Sequence, residues 1–325
     1  MISPSFENFF VYNALEFDIV SHILTLGYAV MLAALLYFVL TIRTVAPRYR
    51  ISSVLSVVVM VSAALILFTQ QQSWENGFTF VDSTARVADI ADADTAEAGT
   101  VLVNIAALNN VDDVSQVAGT YVPVRALEGI SNENPFTNGF RYLNWLIDVP
   151  MLLFQILFIV EITKQKRASL RNWFFFSGTG MIVTGYIGQF YEYTNGAGPE
   201  PAFWIWGAIS TAFFFHVLYL IYRVIMESRK TLSPRAGAWM GAIGILFFVS
   251  WMLYPGAYLM PAILDNVAGV VGRQMTYTAA DVASKVFYGV MLTAVAQIRS
   301  EEDGYQQPDS DLLPTNPERV PSAGD

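Results

Sequence analysis

Long apolar runs of about twenty residues recur along the whole chain, and shorter polar stretches separate them. A helix needs about 20 mainly apolar residues to cross the hydrocarbon core of a membrane. The runs therefore predict an all-α membrane protein whose fold class is a seven-transmembrane-helix bundle. The predicted spans lie at about 18–43, 52–74, 141–163, 172–194, 202–226, 236–262 and 272–298.

Composition supports this prediction and excludes several kinds of site. Hydrophobic residues make up 54% of the 325 residues and charged residues only 14%, whereas soluble domains carry about 25% charged residues. The chain has no cysteine and two histidines, His22 and His216, which excludes disulfides, thiolate chemistry and multi-histidine metal sites. No glycine-rich phosphate loop follows a strand, so we expect neither nucleotide chemistry nor a nucleic-acid partner.

Basic residues cluster in alternate connections between the predicted spans, and this sets the orientation. Short loops rich in lysine and arginine lie on the cytoplasmic side. The basic residues after span one, between spans three and four, and between spans five and six are Arg43, Arg48, Arg50, Lys164, Lys166, Arg167, Arg171, Arg223, Arg229, Lys230 and Arg235. The N-terminus is therefore predicted outside, and no removable signal peptide is expected because residues 1–17 lack a basic region and a cleavage site.

The chain divides into one membrane domain and two appendages. Residues 1–17 are predicted as an extracellular N-terminal segment, 18–300 as the membrane domain and 301–325 as a polar, disordered cytoplasmic tail. A long acidic extracellular loop, 75–139, joins helices two and three. Within it, "TVLVNIAAL" and "SQVAGTYVPVRAL" flank the turn-like "NNVDD", which predicts a β-hairpin. Glycines in spans four and six, among them Gly188 and the pair Gly237 and Gly241, suit close helix packing.

A polar stripe runs along the third apolar run, "RYLNWLIDVPMLLFQ". At 100° per residue, Asn144, Asp148 and Gln155 point within about 40° of one another, and Arg141 lies about 60° to the side. Ionisable residues inside a membrane are costly and indicate a functional site. The space that this stripe faces is therefore a candidate pathway or binding site.

The last run carries a second polar group. Asp281 and Lys285 are four residues apart and share one helix face, with Ser284 beside the lysine. A deep lysine with facing carboxylates has two chemical uses: an ion pair in a proton relay, or an amine that forms a Schiff base with an aldehyde. In the second case the buried cation needs a counter-ion such as Asp148 or Asp281, and aromatic residues can wall a slot for a long polyene. Those aromatic residues include Trp145, Trp251, Tyr254 and Tyr258.

Three motifs together resemble the microbial (type 1) rhodopsins: "RYLNWLIDVP" in the third span, "WMLYPGAYLMP" in the sixth and "DVASKV" in the seventh. The resemblance covers nearly all of the membrane domain. It implies that all-trans retinal is bound covalently to Lys285. The pocket residues that it implies are Trp145, Trp251, Tyr254, Pro255 and Ser284.

Within that family, three positions on the third helix distinguish the transport classes. Outward proton pumps have a carboxylate at the first position and usually a carboxyl group at the third, where this chain has Asn144 and Gln155. Neither amide can titrate. Asp148 argues against a chloride pump, in which the anion itself is the counter-ion. The set of Asn144, Asp148 and Gln155 is similar to that of the light-driven sodium pumps.

The resemblance to sodium pumps implies roles for further residues. Asp148 would be counter-ion and proton acceptor, while Asn144, Asp281 and Ser284 would bind sodium transiently, since hard cations prefer oxygen ligands. An uptake path along Ser53, Ser56, Ser62 and Gln155, and an exit past Arg141 toward Glu192, Arg273 and Glu7, are expected. A homo-oligomer, expected to be a pentamer, in contact with the lipids of a prokaryotic cell membrane is also implied.

Other functions stay open at this point. The chain is expected to be a light-driven ion transporter of translocase type and not an enzyme. Proton pumping through Asp148, as the main activity or at low sodium, is the first alternative, and a photosensory rhodopsin is the second. A seven-helix membrane hydrolase is a distant third alternative, since the sequence lacks the cluster of histidines and acids that would bind its metal. Two departures from the sodium pumps are the long loop between spans two and three, and Ser53 and Thr293 at the cytoplasmic mouth.

Overall fold

The computed structural model describes residues 5–129, 134–192 and 198–306. Helices dominate these residues, and most of them pack side by side in one bundle. They are α1 (Ala14–Thr41), α2 (Arg50–Asn76), α3 (Gly139–Ile159), α4 (Lys164–Gln189), α5 (Pro201–Ser228), α6 (Pro234–Ile263), α7 (Val267–Asp281), a π-helical segment (Val282–Phe287) and α8 (Tyr288–Glu302).

Six helices within the described residues are long and apolar enough to cross a membrane. One of these six is the continuous run Val267–Glu302, which comprises α7, the π segment and α8. Helix α4, predicted as the fourth span, is not among the six, and its first turns hold Lys164, Lys166, Arg167 and Arg171. The structure thus confirms the helical character of all seven predicted spans, and α4 remains a predicted crossing.

Local sequence signals explain where several helices begin. Asn13 caps α1 by accepting a hydrogen bond from the Glu16 amide, and the Glu16 carboxylate accepts one from the Asn13 amide. This reciprocal pair satisfies two amides that have no partner within the helix. Helices α5 and α6 begin with Pro201 and Pro234, because the first helical position needs no amide hydrogen.

A small β-containing unit, here called the cap (residues 78–127), follows α2. Its strands are β1 (Phe78–Val81), β2 (Val87–Asp89), β3 (Val101–Val103) and β4 (Thr120–Pro123). Strand β1 pairs with β4 in antiparallel fashion, and β2 pairs with β3 in parallel. The apolar core of the cap contains Val11 from the N-terminal segment together with Val81, Val103, Leu108, Val111, Val117, Val122, Ala126 and Leu127.

The pairing inside the cap corrects the predicted hairpin. The two predicted strand regions meet at one isolated antiparallel bridge, Val103 to Leu127, while their ladders form with β1 and β2. Gly77 ends α2, and β1 begins at the next residue. Strand β4 pairs with β1, and the Val124 amide donates to the Gly77 carbonyl, so the strand that pairs with β4 is distant from it in sequence. The prediction of β structure in this loop is confirmed, and the antiparallel pairing of the two predicted segments is limited to that one bridge.

The predicted boundaries of the membrane domain, 18 and 300, can be compared with the described ends of the chain. Helix α8 continues to Glu302, two residues into the segment predicted as a tail, and the Tyr305 hydroxyl donates to the Arg43 carbonyl. The rest of the predicted disordered tail, 307–325, and residues 1–4 of the predicted N-terminal segment lie outside the described residues.

Candidate functional site

The centre of the candidate site is Lys285, which lies in the π segment and is 2% exposed. Its Nζ donates to Asn144 Oδ1 at 2.7 Å. The same nitrogen lies 3.1 Å from Asp148 Oδ2 and 2.9 Å from Asp281 Oδ1. The polar stripe of α3, which the spacing predicted, therefore faces the lysine at Asn144 and Asp148.

The two carboxylates beside Lys285 have different surroundings. Asp281 accepts hydrogen bonds from Arg141 Nη1 at 3.1 Å, from Trp145 Nε1 at 3.0 Å and from the Tyr254 hydroxyl at 2.8 Å. Among the described residues, none donates a hydrogen bond of good geometry to either oxygen of Asp148. Hydrogen bonds to an ionised carboxylate stabilise that form, so Asp148 is the freer of the two to accept a proton.

Charge in this centre balances. Two cations, Arg141 and Lys285, and two carboxylates, Asp148 and Asp281, are all at most 2% exposed. Burying a charge is costly unless it is paired. Because every charge here lies against an opposite one, removing a single positive charge leaves the centre with an excess of negative charge that attracts another cation.

The amides of the stripe connect α3 to α2. Asn144 Nδ2 donates to Ser62 Oγ at 2.8 Å, and Gln155 Nε2 donates to Ser56 Oγ at 3.2 Å. Ser53, the third serine of the predicted uptake path, is buried, and its Oγ has no hydrogen-bond partner among the described residues. The structure thus places two of the predicted path serines, Ser56 and Ser62, between α2 and α3 beside Gln155 and Asn144.

The predicted exit residues form one buried cluster. Arg273 donates from Nε to Glu7 Oε1 at 2.9 Å and from Nη1 to Glu192 Oε2 at 2.7 Å. Burial acts to raise the pKa of Glu7, but the charge and hydrogen bonds of Arg273 outweigh it and hold that pKa below its usual range. Burial raises the pKa of Glu192 despite the same arginine.

A continuous chain of polar contacts joins the Lys285 centre to this exit cluster. Arg141 Nη2 donates to Gln274 Oε1 at 3.1 Å, and Gln274 Nε2 donates to Glu7 Oε1 at 2.7 Å. Asn138 Nδ2 also donates to both Glu7 oxygens, at 3.0 and 3.1 Å. The predicted exit residues and the predicted central residues therefore belong to one connected network.

Sequence reasoning missed several members of this network, namely Gln274, Thr278 and Asn138. Thr278 Oγ1 accepts from Arg141 Nη2 at 3.1 Å. A usable signal was present for two of them, because 274, 278, 281 and 285 follow one another at helical spacing along one face of the last predicted span. Asn138 precedes α3 and offers no such periodic signal.

A cavity extends from Lys285 between α3, α4, α5 and α6. All five residues predicted for the retinal pocket line it: Trp145, Trp251, Tyr254, Pro255 and Ser284. The other lining residues include Met181, Ile182, Gly185 and Phe214, so most of the wall is apolar. A mostly apolar slot with one amine at its end suits a long hydrocarbon that carries an aldehyde, and the residues present fit retinal.

The three predicted sodium ligands lie together around this amine. Asn144 and Asp281 contact Lys285 directly, and Ser284 Oγ lies 2.9 Å from the Tyr254 hydroxyl, which also donates to Asp281. Within the described ranges, no group of three or more histidine, cysteine, aspartate or glutamate residues could hold a metal ion. Any cation here would depend on amide and hydroxyl oxygens besides carboxylates.

Comparison with known proteins supports a common family. The model of the bacteriorhodopsin-like protein family matches residues 18–298. Bacteriorhodopsin-II of Haloarcula marismortui is 28% identical over 152 residues, which cover 47% of this chain and 57% of that protein. The green-light absorbing proteorhodopsin of a gamma-proteobacterium is 24% identical over 161 residues, 48% of this chain and 60% of that protein. The chain thus spans less than two thirds of the length of these relatives.

Solved structures share the fold over a greater length. Xanthorhodopsin, a light-driven ion pump with dual chromophore, superposes with a TM-score of 0.70 at 27% identity and covers 91% of this chain and 99% of its own. Halorhodopsin, a light-driven chloride pump, has a TM-score of 0.57 at 18% identity, with 87% and 97% covered, and shows the fold alone.

Proposed function

The chain belongs to the family of bacteriorhodopsin-like proteins, and from this premise we propose that it is a light-driven pump that exports sodium ions. Members of the family bind retinal through a lysine Schiff base and act as light-driven ion pumps or photoreceptors. The finer choice of ion depends on the residues around Lys285.

One observation supports sodium above all. The α3 stripe facing Lys285 offers a single titratable group, Asp148, while Asn144 and Gln155 are amides bound to serines of α2. An amide neither accepts nor supplies a proton at physiological pH. A relay that hands protons from one carboxyl group of α3 to the next therefore cannot operate along this stripe.

Lys285 would hold retinal, and the cavity lined by Trp145, Trp251 and Pro255 would enclose it. When bound, the chromophore supplies the light-driven change of shape that starts transport. A free lysine nitrogen has three protons to donate, and in the structure it contacts Asn144, Asp148 and Asp281. Once that nitrogen carries the chromophore it keeps one proton, so at most one of the three contacts can persist as a hydrogen bond.

The proton at Lys285 Nζ acts as an electrostatic barrier. Two positive unit charges about 4 Å apart repel by roughly 4 kcal/mol at an effective dielectric constant near 20. Transfer of this proton to Asp148, the carboxylate with fewer hydrogen bonds, removes the barrier. The transfer neutralises Lys285 and Asp148 together, so the net charge of the centre does not change, but no positive charge is left on Lys285. Sodium can then approach the oxygens of Asn144, Asp281 and Ser284.

Return of the proton from Asp148 to Lys285 gives transport its direction. The restored positive charge blocks sodium from moving back toward Ser62 and Ser56. The remaining polar route leads past Arg141 and Gln274 to the exit cluster of Glu7, Arg273 and Glu192. Each cycle would therefore move the ion from the Ser56 side to the Glu7 side.

We place the protein in a prokaryotic cell membrane as a multi-pass protein, with the Glu7 side outside. Helix α4 is proposed as the remaining span, which makes seven crossings and puts the basic connections in the cytoplasm. Lipids and sodium are the proposed partners, together with copies of the same chain in a pentamer. The proposal of a pentamer depends on the resemblance to sodium pumps.

Light-induced pH changes of a cell suspension test the function. Cells that express the protein with added retinal are illuminated in NaCl and then in KCl, with and without a protonophore. Export of sodium makes the cell interior negative, so protons enter, the medium turns alkaline in NaCl, and the protonophore increases the effect. No such signal is expected in KCl.

Proton export is the second candidate, favoured by the one observation that Asp148 can titrate and contacts Lys285. It predicts that the medium turns acidic in light and that the protonophore abolishes the signal. Acidification in both salts would refute sodium export as the main activity. The absence of any light response in either salt would favour a photosensory role.

A further inference from the structure

The N-terminal segment (residues 5–12) lies between two parts of the molecule. Its inner part contacts the exit cluster, where Glu7 pairs with Arg273 and the Phe6 amide donates to Glu192 Oε1 at 2.9 Å. Its outer part contacts the cap. All eight residues are buried, although the segment consists of one short 3-10 helix (Phe6–Phe9) and irregular chain.

Hydrogen bonds from the cap satisfy both backbone groups of Val11, both of Tyr12 and the carbonyl of Phe9. The Asn110 side chain accepts from the Val11 amide at 3.0 Å and donates to the Val11 carbonyl at 2.9 Å. Tyr121 exchanges two backbone hydrogen bonds with Tyr12, at 3.0 and 2.8 Å, and the Asn109 amide donates to the Phe9 carbonyl at 2.8 Å. Buried backbone groups need such partners, so the cap is what makes this burial possible.

Side chains strengthen the same junction. Arg125 Nη1 donates to the Asn8 carbonyl at 3.3 Å, and its guanidinium lies 4.2 Å from the centre of the Phe9 ring. Val11 is 6% exposed and belongs to the apolar core of the cap. The Tyr12 hydroxyl donates to the Glu7 carbonyl at 2.6 Å, which ties the outer part of the segment to the residue that contacts Arg273.

We propose that the cap is a clamp that holds Glu7 on Arg273, with Asn110 as its main positioning residue. Asn110 contacts neither Glu7 nor Arg273. It fixes the backbone at Val11, from where Tyr12 transmits the restraint to Glu7. The role in transport rests on the proposed function: a firmly held Glu7 keeps the exit closed to sodium returning from outside, and a loosened one admits it.

Hydrogen exchange at single amides tests the clamp without any ion transport. In the full-length, retinal-bound protein, Asn110→Ala should speed exchange at Val11 and Tyr12, and also at the distant Phe6 amide, by at least about tenfold, since it removes two hydrogen bonds. The matched control is Asn104→Ala in the same cap, whose side chain makes no hydrogen bond to the N-terminal segment within the described residues. It should leave all three amides unchanged.

Faster exchange at Val11 with an unchanged Phe6 amide would overturn the clamp, because the cap would then only cover the segment. Unchanged exchange at all three amides would overturn it as well. If Asn110→Ala gives no coloured protein, Asn110→Asp is compared instead, since it keeps the acceptor for the Val11 amide and loses the donor to the Val11 carbonyl. Its expected effect has the same pattern and a smaller size.

The dependence of light-driven sodium export on external NaCl tests whether a loosened Glu7 lets sodium return through the exit cluster. Rising external NaCl should slow light-driven sodium export several-fold more in Asn110→Ala than in Asn104→Ala, because sodium re-enters past a loosened Glu7. Equal sensitivity in the two variants would overturn the role in transport. A wild-type protein that exports no sodium contradicts the proposed function instead, and the exchange result still decides whether the clamp exists.

Discussion

Asp148 and Asp281 both contact Lys285, and a single substitution separates their roles. Asp148→Asn removes the carboxylate that lacks hydrogen bonds and leaves Lys285, Arg141 and Asp281 with a net positive charge. We expect the initial rate of light-driven transport to fall by about a hundredfold or more, as for loss of a proton acceptor. The measurement is the initial rate of pH change in light, normalised to the amount of coloured protein.

Two further variants serve as controls for that substitution. Asp113→Asn makes the same chemical change on the exposed surface of the cap and should leave the rate unchanged. Asp148→Glu keeps a titratable group and should retain part of the activity. Wild-type rates in Asp148→Asn would contradict the assignment of this residue as proton acceptor.

The two glutamates of the exit cluster should respond differently to substitution and to pH. The pKa of Glu7 is lowered in the folded protein, so its stabilising contribution is present above its ordinary pKa and is lost as the pH falls through the folded value. The pKa of Glu192 is raised by burial, so its contribution favours folding at low pH and is lost as the pH rises through the folded value.

At pH 7, Glu7→Gln should therefore lower stability by about 3 kcal/mol, because it breaks a buried ion pair, and Glu192→Gln should cost less. As the pH falls below the ordinary range of glutamate, about 4, and then through the lower folded value, the loss in Glu7→Gln should shrink because wild-type Glu7 becomes protonated too. The measurement is the temperature at which each coloured protein bleaches, at pH 7 and at successively lower pH. A larger loss in Glu192→Gln at pH 7 would contradict this account.

Helical register predicted that Asn144 and Asp148 share one face of α3 and that Asp281 and Lys285 share one face of the last span, and in the structure these two faces meet at Lys285. Their meeting was a hypothesis from the chemistry of a buried lysine and from the resemblance to rhodopsins, because spacing within one helix does not determine which helix it faces. The hydrogen bonds from Trp145 and Tyr254 to Asp281 could not be predicted. Both residues were expected as apolar walls, and the direction of an indole N–H or a phenol O–H depends on how neighbouring helices are rotated. Arg141 illustrates the same limit, because a long side chain reaches Asp281 from a position beside the stripe.

Helices α4, α5 and α6 meet around Tyr258, and glycine makes this approach possible. A Cβ added at Gly188 would lie 2.2 Å from the Tyr258 hydroxyl and 3.2 Å from Trp206 Cβ. Tyr258 has little freedom to move away, because its ring stacks on Phe203 at 4.6 Å between centroids and its hydroxyl donates to the Phe203 carbonyl. The expected role of Gly188 in packing is thus confirmed, whereas Gly237 has nothing within 4 Å and was wrongly expected to pack closely.

Gly188→Ala should therefore destabilise the bundle by about 1–3 kcal/mol, the usual cost of overpacking. The matched control is Gly256→Ala in α6, where an added Cβ meets nothing within 4 Å, and alanine there should be neutral or slightly stabilising. Thermal bleaching of the two variants in the same detergent is the measurement. Equal stability of both would show that α4 can move away from Tyr258 at no cost.

Strand pairing in the cap shows what local pattern leaves undetermined. Alternating apolar residues indicated where β3 and β4 lie. The alternation does not determine which strand each of them pairs with, because a strand can pair with any strand that presents a free edge, including one distant in sequence. Here β4 pairs with β1, the strand that leaves α2, and β3 pairs with the short acidic strand β2. The end of α2 was predicted to within two residues, but the strand β1 that follows it was not predicted, so the partner of β4 was missed.

The number of membrane crossings of the whole molecule depends on α4, which is not among the six helices that are apolar enough to cross within the described residues. This helix is 26 residues long, comparable with its neighbours, and it packs between α3 and α5. Its basic first turns lower its hydropathy, and Lys166 pairs there with Glu227 of α5. If α4 crosses, the cap and the connection after α5 lie on opposite sides of the membrane. If it does not, they lie on the same side.

Absence of cysteine from the chain makes this topology directly measurable. Asp94→Cys in the cap and Lys230→Cys after α5 place single thiols at exposed positions. With seven crossings, a membrane-impermeant maleimide should label Asp94→Cys in intact cells and Lys230→Cys only after the cells are permeabilised. Labelling of both in intact cells would mean that α4 does not cross, and labelling of Lys230→Cys alone would mean that the molecule is inverted. Since outward transport requires the Glu7 cluster to face the medium, an inverted molecule would also reverse the direction proposed for sodium.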